Sequence, residues 1–229
     1  MALQRLSYEF DLHWLAASRR GGSWEIMTME FADVLDAVIE SAPTLHGSGT
    51  FSEFGLRALA RIAGELHPLN LSVETGSGAS TILFSHLSKA HITFTIDSGS
   101  GSLDNVRRSA LFRSENVSVI KGPSQLTLPK YGFSEPIDLA LIDGPHAYPF
   151  PDLEYFYFYP HIRPGGILIV DDIQIRSIRN LFDFLTVDEM WNLKEVVETT
   201  AYFTRTEAPV FPPTGDGWWL QKYNNSHPG

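Results

Sequence analysis

Five carboxylates and one imidazole stand where this sequence could do chemistry. Glu74, Asp97, Asp143 and Asp171 each close an apolar run, Asp172 follows directly, and His146 lies three positions after Asp143. In a parallel sheet all strands end along one edge, where open α/β folds bind ligands, so these acids are expected to line one cleft. Acids also start loops and cap helices, and for any one of them that alternative suffices. Asp97 lies 23 positions after Glu74, a spacing suited to accepting two hydrogen bonds from a ribose diol. If the strands ending at Asp143 and Asp171 are neighbours, Asp143, Asp171 and Asp172 meet at one point. Unpaired they repel; a Mg²⁺ with oxygen ligands resolves this and would favour an ionised hydroxyl on a substrate. The alternative pairs one acid with Arg176 or Arg179 and leaves the others to loop hydrogen bonds. His146 titrates near neutrality and could take a proton from a hydroxyl. The plainer reading is a loop histidine satisfied by backbone.

The element that must position these groups is Leu71 to Thr81, Leu-Ser-Val-Glu-Thr-Gly-Ser-Gly-Ala-Ser-Thr. Leu71, Val73 and Thr75 suit a strand. Gly76 and Gly78 permit a tight turn and close backbone approach. Ser80 or Thr81 could cap the helix that continues through Leu83, Phe84 and Leu87. A strand, a glycine turn and a helix N-terminus form the usual seat of a nucleotide-like ligand. A dinucleotide fingerprint carries a third small residue where Thr81 stands, and Glu74 would repel a pyrophosphate. The same Glu74 suits an ammonium group, which points to S-adenosylmethionine with its adenosine, sulfonium and amino-acid tail.

Further strands are expected at 91–97, 117–120, 137–142 and 167–170, with helices between them. Apolar runs such as Ile137 to Ile142 fit central parallel strands covered on both faces. Alternating strands and helices imply an α/β, doubly wound sheet. Leu193 to Phe203 and Gly217 to Tyr223 read as two final strands, the second opened by Trp218-Trp219. Residues 1 to about 66 read as helical, a layer over the sheet or a lid hinged at Gly47 and Gly49. The run Tyr155 to Tyr159 reads as core packing, with a stacking wall as the other option. Trp14 and Trp24 are candidates for lining a pocket.

The chain of 229 residues suits one domain, residues 1–66 forming the cap and 67–229 the catalytic core. Its net charge of −10 disfavours nucleic acid as a partner. Zero cysteines exclude disulfides, thiolate metal sites and cysteine nucleophiles. The charged N-terminus does not read as a signal peptide and no apolar run suits a membrane span, so the expectation is a cytoplasmic protein without a membrane partner.

On these residues the sequence resembles class I S-adenosylmethionine-dependent methyltransferases, and more narrowly the catechol-type and bacterial small-molecule O-methyltransferases. The resemblance covers about Leu71 to Asn180. Val73 to Ser80 resembles the family's first motif and implies Glu74, Gly76, Ser77, Gly78 and Ser80 around the methionine part of the cofactor. Ile96-Asp97 resembles its ribose-binding segment. Gly122-Pro123-Ser124-Gln125 resembles its Gly-x-Ser-Gln segment, which implies Ser124 and Gln125 beside adenine. Leu-Ile-Asp-Gly-Pro-His-Ala-Tyr and Val-Asp-Asp-Ile resemble its metal and catalytic segments, and imply Asp143 beside both cofactor and metal. Asp172 replaces a frequent asparagine, and His146 stands where catechol-type enzymes carry a lysine base. The resemblance implies a Rossmann-like, mostly parallel seven-stranded sheet with an N-terminal helical cap, and methyl transfer to an oxygen of a small-molecule acceptor. A homo-oligomer is compatible with this. Two rivals stay open: an NAD(P)-dependent oxidoreductase, and a non-catalytic nucleotide-binding protein that kept the fold.

Overall fold

The computed structural model describes residues 31–45, 51–96, 101–212 and 214–225, together with the backbone of two short strands at 14–20 and 23–29. Those strands, β1 (Trp14–Arg20) and β2 (Ser23–Met29), pair antiparallel with Trp14 opposite Met29 and Arg20 opposite Ser23. This corrects the helical expectation for the start of the chain. A Gly-Gly dipeptide separates the strands in sequence, a strong hairpin signal. Ser-Trp-Glu-Ile also alternates with the period of a strand. The side chains of Trp14 and Trp24, and the proposed hinge at Gly47 and Gly49, lie outside the described residues.

Helices α1 (Phe31–Leu45) and α2 (Glu53–Glu65) follow, as their apolar spacing predicts. Ser52 caps α2, its hydroxyl accepting from Gly55 N at 3.0 Å. Next come β3 (Leu69–Thr75), α3 (Ala79–Leu87), β4 (Ser88–Thr95), α4 (Ser102–Arg108), β5 (Val117–Lys121) and the short α5 (Ser124–Thr127). Then follow β6 (Ile137–Ile142), α6 (Phe150–Phe158), β7 (Ile162–Val170), α7 (Arg176–Val187), β8 (Trp191–Val197) and β9 (Thr200–Arg205). The seven-stranded sheet runs β5-β4-β3-β6-β7-β9-β8. Pairs from β5 through β7 are parallel, and β9 is antiparallel to both β7 and β8. The expected mostly parallel, doubly wound sheet is thus present.

Two corrections fall at the C-terminal end. The stretch read as one strand from Leu193 to Phe203 is a hairpin that turns at Glu198, whose φ of 53° lies in the left-handed region. The stretch from Gly217 to Tyr223 is not a strand. Trp218–Leu220 form a 3-10 turn, with Trp218 61% and Trp219 57% exposed. They do not add to the sheet, whose last strand on this side is β8.

The central strands are apolar on both faces because both faces are covered. Leu139 and Leu141 join one core with α1, α2 and α3 side chains such as Val38, Leu59 and Leu83. Ala140 and Ile142 join the other with Phe158 of α6 and Leu181 of α7. Each buried aliphatic side chain contributes roughly 1.5–3 kcal/mol relative to exposure. The two helical layers therefore hold the strand ends rigidly, and β3 and β6, adjacent though far apart in sequence, form the crevice where the strand order reverses.

Candidate active site

β3 passes into the turn at Gly76, whose φ is 94°. A Cβ there would stand 2.4 Å from the carbonyl oxygen of Asp143, so glycine is required both by conformation and by the neighbouring β6 loop. The close approach places the first residue of the glycine turn directly against the residue that ends β6.

Glu74 lies beneath this turn rather than on it. The residue is fully buried. Its carboxylate accepts from Ser80 Oγ at 2.7 Å, from Thr81 Oγ1 and from His91 Nε2 at 3.1 Å. His91 Nδ1 continues to Ser72 Oγ at 2.8 Å, and Thr81 Oγ1 accepts from Gly78 N at 2.9 Å. Glu74 and Ser80, expected around the methionine part of the cofactor, thus bond to each other and brace the start of α3. Ser77 is half-buried above, its hydroxyl 3.1 Å from Thr95 Oγ1. Asp97, the expected ribose acid, lies outside the described residues.

Ser124 is buried at the start of α5, beside the Glu154 carboxyl, while Gln125 is exposed. Apart from each other, neither Ser124 Oγ nor Glu154 Oε1 has a hydrogen-bond partner. Orphaned buried polar atoms are rare in folded proteins, and a hydroxyl of this kind fits a site that a polar ligand completes. Glu154 Oε2 accepts from Thr75 Oγ1 at 2.8 Å, and Asp143 N donates to the same hydroxyl at 3.3 Å. A Cβ on Gly144 would meet both Glu154 oxygens, at 2.5 and 2.7 Å. Burial pushes the Glu154 carboxyl up to about 7. Sequence reasoning missed this residue because it sits in the aromatic run of α6; a lone acid within such a run was the available signal.

The loop after β6 and the end of β7 bring three ligand-type side chains together. Asp143, His146 and Asp172 each offer one atom, all within 4.8 Å of one another. His146 Nε2 lies 3.1 Å from Asp172 Oδ2 and 3.7 Å from Asp143 Oδ1. Ser177, in the first turn of α7, donates to the His146 carbonyl. Asp172 holds a φ of 57°, and Gln174 Nε2 donates to its Oδ1 at 2.7 Å. Backbone held in the left-handed region by a non-glycine residue is a recurrent mark of functional sites. Asp171 sits beneath the cluster, its Oδ1 accepting from Thr200 Oγ1 at 2.5 Å. The expected trio of Asp143, Asp171 and Asp172 is thus rearranged: His146 completes the open cluster and Asp171 backs it. Arg179 does not neutralise these acids, because it pairs with Asp183 at 2.8 Å.

The electrostatics follow from this crowding. Burial, helped by the neighbouring acids, raises the Asp143 carboxyl to about 6. Burial and the Asp143 charge raise Asp171 to about 7. The neighbouring Asp143 carboxyl raises the His146 imidazole above its ordinary value, against the opposing effect of its own burial. Carboxylates that resist ionisation beside an imidazole form a site that gains from a cation. Two oxygens and an imidazole within reach of one point also match the donor set of a divalent metal.

Residues 73–173 match the sequence model of a family described as a methyltransferase domain. No curated protein matches the chain by sequence. Among solved structures, cofactor-bound Rv0187 from MTB aligns with a TM-score of 0.62 and 18% identity, over 77% of this chain and 91% of that one. The O-methyltransferase from Bacillus cereus in complex with SAH aligns at 0.55 and 16%, over 76% and 91%. The MycE methyltransferase of the mycinamycin biosynthetic pathway, in complex with Mg, SAH and mycinamycin VI, aligns at 0.50 and 13%, over 81% and 57%. The β3 glycine turn, the β6 loop and the end of β7 all lie within the matched residues, so the segment that carries the candidate site is that of a methyltransferase domain, on a fold shared with these solved structures.

Proposed function

We propose that the chain methylates a hydroxyl oxygen of a small-molecule acceptor held over Asp143, His146 and Asp172. The observation that carries this reading is the contact between Gly76 and Asp143: it sets a cofactor-type turn directly beside a cluster suited to binding and deprotonating a hydroxyl. Two of the structural neighbours bear names as methyltransferases solved with SAH, and one of these also holds Mg.

Bound adenosylmethionine supplies the methyl group from its sulfonium. Around it, Gly76, Ser77 and Gly78 leave room for the methionine portion, with Glu74 and Ser80 bracing the turn from below. Asp97 is assigned to the ribose diol, and Ser124 and Gln125 to the adenine edge. Asp143 and Asp172 would hold a divalent cation such as Mg²⁺, which when bound supplies Lewis-acid stabilisation of an ionised hydroxyl. His146 takes the hydroxyl proton at Nε2, and Ser177 fixes its loop. The same imidazole, held between two carboxylates, then keeps that proton in a favourable field. Helices α1 and α2 serve as the cap of a single domain.

Calorimetry with adenosylmethionine and adenosylhomocysteine, followed by labelled-methyl transfer over phenols, sugars and amines, tests the reading. Expected are cofactor binding and transfer to a hydroxyl-bearing compound. Transfer to amines alone would reject oxygen as the acceptor atom, and NAD binding without adenosylmethionine binding would overturn the whole assignment.

A further inference from the structure

A second concavity lies away from the strand-end cluster. Helices α6 and α7 and the segment 210–221 enclose about 650 Å³, within the range of small-molecule sites. None of its lining residues belongs to the cluster of Asp143, His146 and Asp172. Its walls are largely aromatic: Tyr155, Phe156, Tyr159, Phe184, Phe211 and Trp218. Tyr155 and Tyr159 stack with centroids 5.0 Å apart, and Tyr159 and Phe184 each continue onto Phe211, at 6.0 and 6.3 Å. Phe156 and Trp218 stand at the rim, 59% and 61% exposed.

The polar character of the groove is one-sided. Asp152 and Asp216 line it, and no lysine or arginine is among the described residues that do; His161 also lines it, and burial lowers its imidazole, which favours the neutral form. Asp152 Oδ2 is buried with no hydrogen-bond partner, and burial raises this carboxyl above its ordinary range. Asp188 acts on both Tyr155 and Tyr159. Arg205 and Lys222, the cations that act on Asp188, are engaged with other groups. Arg205 donates to the carbonyls of Thr206 and Ala208, at 2.8 and 2.6 Å, and Lys222 pairs with Glu189 at 2.7 Å. Aromatic faces carry negative quadrupole potential, and an unpartnered carboxylate behind them adds to it across a low-dielectric wall. A groove of this composition repels anions and suits a positive charge on an apolar body.

We infer that the groove formed by α6, α7 and the Val210–Gln221 segment binds an organic cation, an amine or quaternary ammonium carried on a ring or hydrocarbon, with the rings around its charge and Asp152 and Asp216 as counter-charges. The site is distinct from the strand-end cleft and does not depend on the methyltransferase reading.

Benzyltrimethylammonium is the probe, with neopentylbenzene as its neutral isostere and benzoate as the anionic control. Each is titrated calorimetrically into the full chain, with adenosylhomocysteine at saturation so that a sulfonium-binding cleft cannot take the probe. The cation should bind about tenfold more tightly than the isostere, the scale of a partly desolvated cation–π contact, and benzoate should not bind. Asp152→Asn should remove most of that preference while leaving isostere binding intact. Phe156→Ala, at an exposed position that folding does not need, should weaken cation and isostere alike. Equal affinity for cation and isostere, or binding of neither, would overturn the inference. So would loss of cation binding in Asp143→Asn, which would place the probe in the strand-end cleft. Sedimentation showing self-association that Trp218→Ala abolishes and that excludes the probe would assign the groove to a second copy of the chain instead.

Discussion

Glu74 lies one residue inside the end of β3 and Asp143 directly follows the adjacent β6, yet their surroundings differ in kind. Glu74 is sealed below the glycine turn and takes hydrogen bonds from Ser80, Thr81 and His91. Asp143, across the Gly76 contact, is half-buried, and its nearest cationic partner is His146 at 3.7 Å. The first carboxylate is saturated and locks the backbone that a cofactor would meet. The second is withdrawn from water without full compensation, which raises its pKa to about 6 and leaves it able to gain from a ligand. Two acids near the ends of neighbouring strands can thus divide the work: a satisfied one braces, an under-satisfied one binds.

The contrast is broken most severely at the open cluster. His146→Ala should lower kcat by roughly 10²–10⁴-fold with cofactor affinity almost unchanged, the usual range for a general base. His146→Gln should do nearly as much harm, since an amide keeps polarity but takes no proton. Turnover against pH for both variants, once an acceptor is found, checks this. An acidic limb that persists in His146→Ala would assign the base elsewhere.

At the brace, Glu74→Ala should act on stability before activity. It leaves the donors of Ser80, Thr81 and His91 without their acceptor, at about 1–3 kcal/mol for each buried group left unpaired. Urea unfolding at neutral pH should show a loss of several kcal/mol, accompanied by weaker adenosylhomocysteine binding as the turn relaxes. A Glu74→Ala protein of wild-type stability would show that the hydrogen bonds beneath the turn contribute nothing net.

Asp143→Asn sharpens the comparison by reversing the sign. Without metal at pH 8, removing a charge that burial disfavours should leave stability unchanged or raised. With Mn²⁺ or Mg²⁺ present at a hundred times its dissociation constant, wild type should gain about 2.7 kcal/mol and Asp143→Asn should gain almost none. Thermal unfolding with and without EDTA reads both effects. Equal stabilisation of the two proteins would remove Asp143 from the metal site.

The smallest effect concerns Glu154. Its folded pKa of about 7 exceeds the ordinary glutamate value of 4.5, so the folded protein keeps a proton that the unfolded chain has lost. Its contribution is therefore complete below about pH 4.5 and is lost as pH rises to 7 and beyond, on the order of 1–3 kcal/mol. Glu154→Gln carries no titrating proton and should flatten the stability profile across that window. A wild-type profile rising from pH 5 to 8, with Glu154→Gln parallel to it, would contradict this assignment.

Much of the frame was legible because local pattern and tertiary burial agree in it. Ile137 to Ile142 and Ile167 to Val170 are continuously apolar, and only strands covered on both faces use such runs. Gly76 was readable as a turn, and the acids at strand ends as a cleft edge. The illegible parts are those where two distant segments decide the outcome. The hairpin of β8 and β9 hides in one β-rich stretch, since its turn at Glu198 carries no glycine or proline. Trp218-Trp219 has strand-like composition but forms a 3-10 turn, an outcome that local composition does not distinguish.

The sequence by itself determined the strand and helix order, the glycine turn and the set of candidate groups, because each depends on residue type and near-neighbour spacing. Tertiary structure alone decided which acids are spent and which are open. Asp171 and Asp172 are consecutive, yet one backs onto Thr200 of β9 and the other turns, at a positive φ, toward His146. Glu74 owes its saturation to His91, a residue that only the pairing of β3 with β4 brings into reach. A carboxylate's chemistry is fixed by the donors and charges within a few ångströms, and those come from segments that the chain's local pattern does not specify.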